Sequence, residues 1–118
     1  MKYLIVFLIC FTTQSVLAQD ASTYHSATKV FQENFNAQKI DSIFDMYTSE
    51  MQENMTKEGV TRFINGCYEQ FGSIKNITFV ETAEGVYSYK VEFDKAILAM
   101  DLQLSTNGKI STIQFQEL

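Results

Sequence analysis

A chain of 118 residues, 46% hydrophobic and 14% aromatic, is one domain's worth of sequence with enough apolar side chains for a single packed core, which excludes intrinsic disorder. Fourteen acids against nine bases leave a formal charge of −5, and the bases are scattered, with Arg62 the single arginine. Nucleic acid and anionic membrane surfaces are excluded as partners, because both need clustered positive charge.

The first eighteen residues, MKYLIVFLICFTTQSVLA, read as a signal peptide for export through the Sec pathway. Lys2 supplies the positive end, Tyr3 to Phe11 form an apolar run too short to span a bilayer, and Val16-Leu17-Ala18 offers small residues for cleavage. The expected product is a single domain over 19–118, periplasmic or extracellular, with no membrane attachment after cleavage. Loss of Lys2 takes its formal charge to −6. A lipid-bearing Cys10 is the alternative, but Ile9 replaces the small residue such a signal needs, and the apolar run continues past the cysteine. Cys67 is then the one cysteine of the mature domain, which excludes an internal disulfide.

Residues 22 to 37 read as a first helix with Tyr24, Ala27, Val30, Phe31 and Phe35 on one face. A second is expected at about 39 to 47, burying Ile40, Ile43, Phe44 and Tyr47. Ser49 and Gln52 have the spacing of a capping box. Thr56 is a candidate N-cap for a third helix running to about Gln70, with Val60, Phe63, Ile64, Cys67 and Phe71 inward and Gly72 as C-cap.

Beyond Gly72 the period falls from 3.6 to two. Ile77 and Phe79 mark a first strand, Tyr87, Tyr89, Val91 and Phe93 a second, Leu98 to Leu104 a third, and Ile113 and Phe115 a fourth. Glu84-Gly85 and Asn107-Gly108 are the turns, and the second pair predicts a type I′ hairpin. The fold class is therefore α+β: three N-terminal helices packed on a curved four-stranded antiparallel meander.

The segments FNAQKIDSIFDMY (35 to 47), SEM (49 to 51) and FGSIKNITF (71 to 79), ahead of that meander, resemble a family of small secreted bacterial domains of unknown function. That family is placed in the nuclear transport factor two-like superfamily, with its cystatin-like cone fold. Its members stand alone or precede serine hydrolase domains in exported proteins. The resemblance implies a pocket at the open end of a cone. It carries no catalytic residue, because the shared motifs are structural.

Side-chain phase decides which chemistry the interior can hold. His25 is expected off the apolar face of the first helix, Asp41 and Asp45 off that of the second, and Lys90, Glu92, Asp94 and Asp101 on the outer face of the sheet. The inner surface is thus expected to hold no carboxylate, His, Lys or Arg, so no catalytic or metal-binding residue and no cofactor are assigned. The candidate pocket is apolar: Phe31, Asn34, Phe63, Cys67, Tyr87, Tyr89 and Met100, with Asn34 either bonded within the core or anchoring a ligand. Gly66, mid-helix beside Cys67, either admits the sheet closely or is tolerated. A second candidate surface is Val80, Val86, Ile97, Ala99 and Ile110, apolar where alternation predicts solvent, which suits a homodimer or an exported partner protein. Asn54-Met55-Thr56 and Asn76-Ile77-Thr78 match glycosylation sequons and are given no role.

Two functions follow. The first is a secreted, non-enzymatic module binding a small apolar or amphipathic ligand or a protein partner. The second is a cone-fold isomerase or dehydratase built from the pocket tyrosines and one acid. An acid or imidazole within reach of Tyr87 or Tyr89 would favour the second.

Overall fold

Four helices precede four strands in the computed structural model, which describes residues 21–118. The expected signal segment 1–18 and Cys10 lie outside the described residues. The helices are α1 (Ala21–Asn36), α2 (Ile40–Asp45), α3 (Ser49–Asn54) and α4 (Lys57–Phe71). The strands are β1 (Ile74–Ala83), β2 (Val86–Phe93), β3 (Ile97–Leu104) and β4 (Ile110–Glu117), antiparallel in the order β1-β2-β3-β4. The molecule is an α+β domain.

Helix α3 was not among the expected elements. Its N-cap is Thr48, whose hydroxyl accepts the Met51 N–H at 3.1 Å, so Ser49 is the first helical residue rather than the cap. Thr56 caps α4 by accepting the Gly59 N–H, and Gly72 closes it at φ 87° with its N–H donated to the Tyr68 carbonyl.

Helix α1 is rotated from its expected phase. Its buried residues are Tyr24, Thr28, Phe31 and Phe35, while Val30 is 44% exposed. Thr28 can be buried because its hydroxyl donates to the His25 carbonyl at 2.8 Å, so no polar group is stranded. Ala27 and Val30 border a surface groove instead of the core.

The sheet departs from strict alternation at three places. Register shifts leave Lys75 and Val80 of β1 unpaired, and a third, where Leu104 pairs Ile110 next to Gln103 with Thr112, leaves Ser111 unpaired. This last bulge turns Ile110 inward. It is 1% exposed, bridged to Tyr47, and part of the core, so it is not on the outer surface where plain alternation put it. Phe79 keeps its expected inner face, opposite Tyr89 in the ladder, yet is 43% exposed because β1 is an edge strand.

The turns are also exchanged. Glu84 (φ 53°) and Gly85 (φ 81°) form the two-residue loop with both central φ positive, between paired Ala83 and Val86. The Asn107-Gly108 loop is longer: Gly108 N–H donates to the Ser105 carbonyl, Ser105 N–H donates to the Lys109 carbonyl, and only Gly108 has positive φ. That is a type I turn followed by a left-handed residue, not a type I′ hairpin.

The core lies between the helices and the inner sheet face. Phe31, Phe35, Ile43, Val60, Ile64, Val91, Met100 and Leu102 are each 1% exposed or less. Two contacts pin α1 to the sheet at opposite ends. Tyr24 Oη accepts the Leu104 N–H at 3.0 Å, and the Asn36 amide clasps Ile74, accepting its N–H at 2.7 Å and donating to its carbonyl at 2.9 Å.

Candidate functional site

A helix turns about 100° per residue, so the stripe that α1 buries leaves two flanks roughly opposite each other. Each flank borders a cleft. On one side Thr23, Ser26, Ala27, Val30 and Asn34 face Ser42, Asp45 and Met46 of the α2 region and the Asn107–Lys109 turn, across about 500 Å³. On the other, His25, Thr28, Lys29 and Gln32 face Lys75, Asn76, Ile77 and Phe79 of β1 and Tyr89 of β2, across about 370 Å³.

The second cleft holds the chemistry. His25 Nδ1 and Tyr89 Oη are hydrogen-bonded at 3.0 Å. The Tyr89 ring is 2% exposed, and its phenol is pushed up to about 12, first by burial and then by Tyr87 and Tyr24 beside it. It therefore stays protonated at neutral pH and can donate to a neutral imidazole that carries its proton on Nε2. Phe79, Tyr87 and Tyr89 meet the His25 ring edge-on, at centroid distances of 5.4, 6.5 and 5.8 Å. Tyr24 stacks on Tyr87 at 3.7 Å and closes the aromatic cluster.

The expectation that no imidazole approaches the inner tyrosines is corrected. Helical phase placed His25 off the apolar side, as it is, but β1 and β2 rise beside that flank and bring Tyr89 to it. The carboxylates lie elsewhere. Asp101 accepts from Ser88 at 2.9 Å and from Gln116 at 3.0 Å, Glu92 accepts from Asn76 at 3.3 Å, and Asp94 is bound by Ser73. The two backbone-directed clamps, Asn36 on Ile74 and Gln32 Nε2 to the Ile74 and Lys75 carbonyls, fix β1 against α1 and set the width of the cleft.

Of the seven residues expected to line one apolar pocket, Asn34 borders the first cleft and Tyr89 the second, and neither cleft holds the other five. Phe31, Tyr89 and Met100 are 1–2% exposed and packed into the core, with Phe63, Cys67 and Tyr87 half-buried against it. The Cys67 thiol is pushed up by burial, the opposite of what activates a nucleophile. Asn34 is half-buried at the first groove, its amide directed at Met46 Sδ at 3.7 Å. Of the other surface residues, Val80 and Ile97 are 57% and 47% exposed, with Val86 and Ala99 intermediate.

Lys29, Lys75 and Gln32 were missed because nothing in their spacing is distinctive. Lys75 enters the cleft beside a β1 register shift that composition does not announce. Among the described residues no three His, Cys, Asp or Glu side chains gather as metal ligands, and no helix is long and apolar enough to cross a membrane.

Fold and site together define a small α+β domain: helices on one face of a four-stranded antiparallel meander, with a polar cleft along the first helix. The chain belongs to the family described as Protein of unknown function (DUF3887), which matches residues 27–113, from α1 to β4. No curated protein and no solved structure matches it.

Proposed function

We propose that this is an exported, non-enzymatic binding domain whose ligand sits in the cleft between α1 and β1. The observation that carries the reading is the contrast between a filled interior, with Phe31 and Met100 at 1% exposure, and a cleft of about 370 Å³ ringed by hydrogen-bonding side chains. Export is supported by Lys2, the apolar run after it and Val16-Leu17-Ala18, with the working domain at 19–118 and its place periplasmic or extracellular. The meander under its helices supports a cone-like fold of the nuclear transport factor two-like kind. Exposed Val80 and Ile97 support a further contact with a second copy or an exported partner protein, which native mass spectrometry of the purified protein tests through its oligomeric state.

Thermal denaturation across a metabolite panel tests the binding reading, since a ligand of the native state raises Tm. A stabilising ligand whose effect is lost in His25→Ala and kept in Asn34→Ala supports the cleft. The reverse pattern overturns it.

The His25–Tyr89 contact favours the second reading, a cone-fold isomerase or dehydratase. The cleft supplies that imidazole and a phenol, which, pushed up to about 12, is a donor and not a base at neutral pH, but no carboxylate lines the cleft beside them. Turnover abolished by Tyr89→Phe would establish the enzyme reading.

A further inference from the structure

Building on the reading that the α1–β1 cleft is the binding site, we propose that its ligand class is a small aromatic carboxylate, held by Lys29 and Lys75 with its ring against Phe79. The protein carries −5, yet the residues lining this cleft include two lysines and the one histidine and no carboxylate. Neither lysine is spent on an ion pair: those among the described residues join Lys57 to Asp41 and Arg62 to Glu58. Lys75 does act on Asp94, but that carboxylate already accepts the Ser73 N–H and hydroxyl at 2.9 and 2.8 Å. Glu33, one turn along α1 from Lys29, makes no ion pair with it. Two ammonium groups on opposite walls, one from the helix and one from the strand, can each donate charge-assisted hydrogen bonds to one carboxylate.

Part of the wall is apolar. Phe79 is 43% exposed on a cleft face it shares with half-buried Ile77, and its ring stands 5.4 Å from His25 and 5.7 Å from Tyr89. A flat ring laid there covers Phe79 and gains an aromatic contact. A bare inorganic anion leaves that surface wet, and a neutral hydrocarbon leaves the lysines unanswered. The volume of about 370 Å³ suits a ligand of one or two rings.

The test titrates 2-naphthoate into the purified, isotope-labelled protein. Its neutral isostere 2-naphthamide and inorganic phosphate are run beside it. Naphthoate is expected to shift amide resonances of residues 25–32 and 75–79, to weaken as salt rises, and to bind about tenfold tighter than either control. The exposed-site variants Lys29→Gln/Lys75→Gln and Phe79→Ala should each weaken it by about tenfold, and Asn34→Ala should leave it unchanged. Naphthamide binding as tightly at the same resonances would overturn the carboxylate class while leaving the cleft as the site. Shifts centred on Asn34, Met46 and Lys109, or none with any of the three probes, would overturn both the class and the cleft.

Discussion

Three tyrosines in this domain bury their rings under different hydrogen-bonding conditions, so one substitution should change sign with position. Tyr47 is 2% exposed, and its hydroxyl has no hydrogen-bond partner among the described residues. Burial, and then Cys67 nearby, push that phenol up to about 12. An unsatisfied buried hydroxyl costs about 1–3 kcal/mol in lost hydration, and Tyr47→Phe removes that cost while keeping the ring. Allowing for the packing of the deleted oxygen, the expected gain is about 1 kcal/mol, or roughly 4–8 °C in Tm for a domain this size. Tyr24→Phe should do the reverse, because it strands the Leu104 N–H now bonded at 3.0 Å, at a cost of about 1–3 kcal/mol. Tyr89→Phe should cost about 0.5–1.5 kcal/mol through its lost bond to His25. Urea unfolding of the four proteins, read by tyrosine fluorescence and far-ultraviolet circular dichroism, gives the three differences. Destabilisation by Tyr47→Phe of about 1 kcal/mol or more would mean instead that the hydroxyl is bonded.

Two glycines should part in the same way. Gly66→Ala meets nothing within 4 Å and should raise stability by about 0.8–1 kcal/mol in chemical denaturation, whereas Gly72→Ala would place its Cβ 2.7 Å from Asp94 at φ 87° and lose about 1–3 kcal/mol. Ile110→Ala should cost about 2–5 kcal/mol and Val80→Ser stay within about 0.5 kcal/mol, which a thermal melt separates at once. The Asp94 carboxyl is held below its usual range by the Ser73 backbone N–H, then by the Ser73 hydroxyl. A carboxyl lower in the folded than in the unfolded state adds stability above the unfolded pKa of about 3.9 and loses it as pH falls through the folded value. Acid titration of stability should therefore be steeper below about pH 4 in the wild type than in Asp94→Asn.

Where a local residue pattern has one physical meaning, the chain could be read directly. Thr56 and Gly72 bound α4 because a hydroxyl before a helix and a glycine after it satisfy terminal groups that few other residues can. The meander was equally plain, since Tyr89 and Val91 pair with Met100 and Leu98 of β3, and Phe93 donates its N–H to the Ala96 carbonyl at the turn. Misreadings arose where a neighbouring element decides. Thr28 displaced Ala27 and Val30 from the buried stripe because its hydroxyl is satisfied within its own helix, which a hydropathy pattern cannot register. Ile110 followed a bulge at Ser111 whose residues are unremarkable as a string. His25 met Tyr89 across 64 positions of chain, a contact made by how the strands lie against α1 and not by anything near either residue. The candidate site was the least legible part for that reason: its walls are joined only in three dimensions.

The clasp between Asn36 and Ile74 has a consequence for how the domain can vary. The chain leaves α1 at Asn36 and comes back beside the same residue at Ile74, where β1 begins, so everything from 37 to 73 is a detour with its two ends tied together. Lengthening a tied detour adds only a slowly growing entropic cost, about 0.6 kcal/mol for each doubling. Insertions at the Met55–Thr56 junction should thus be absorbed locally, while the gap separating Lys29 from Lys75 keeps its span under the knot that one asparagine ties.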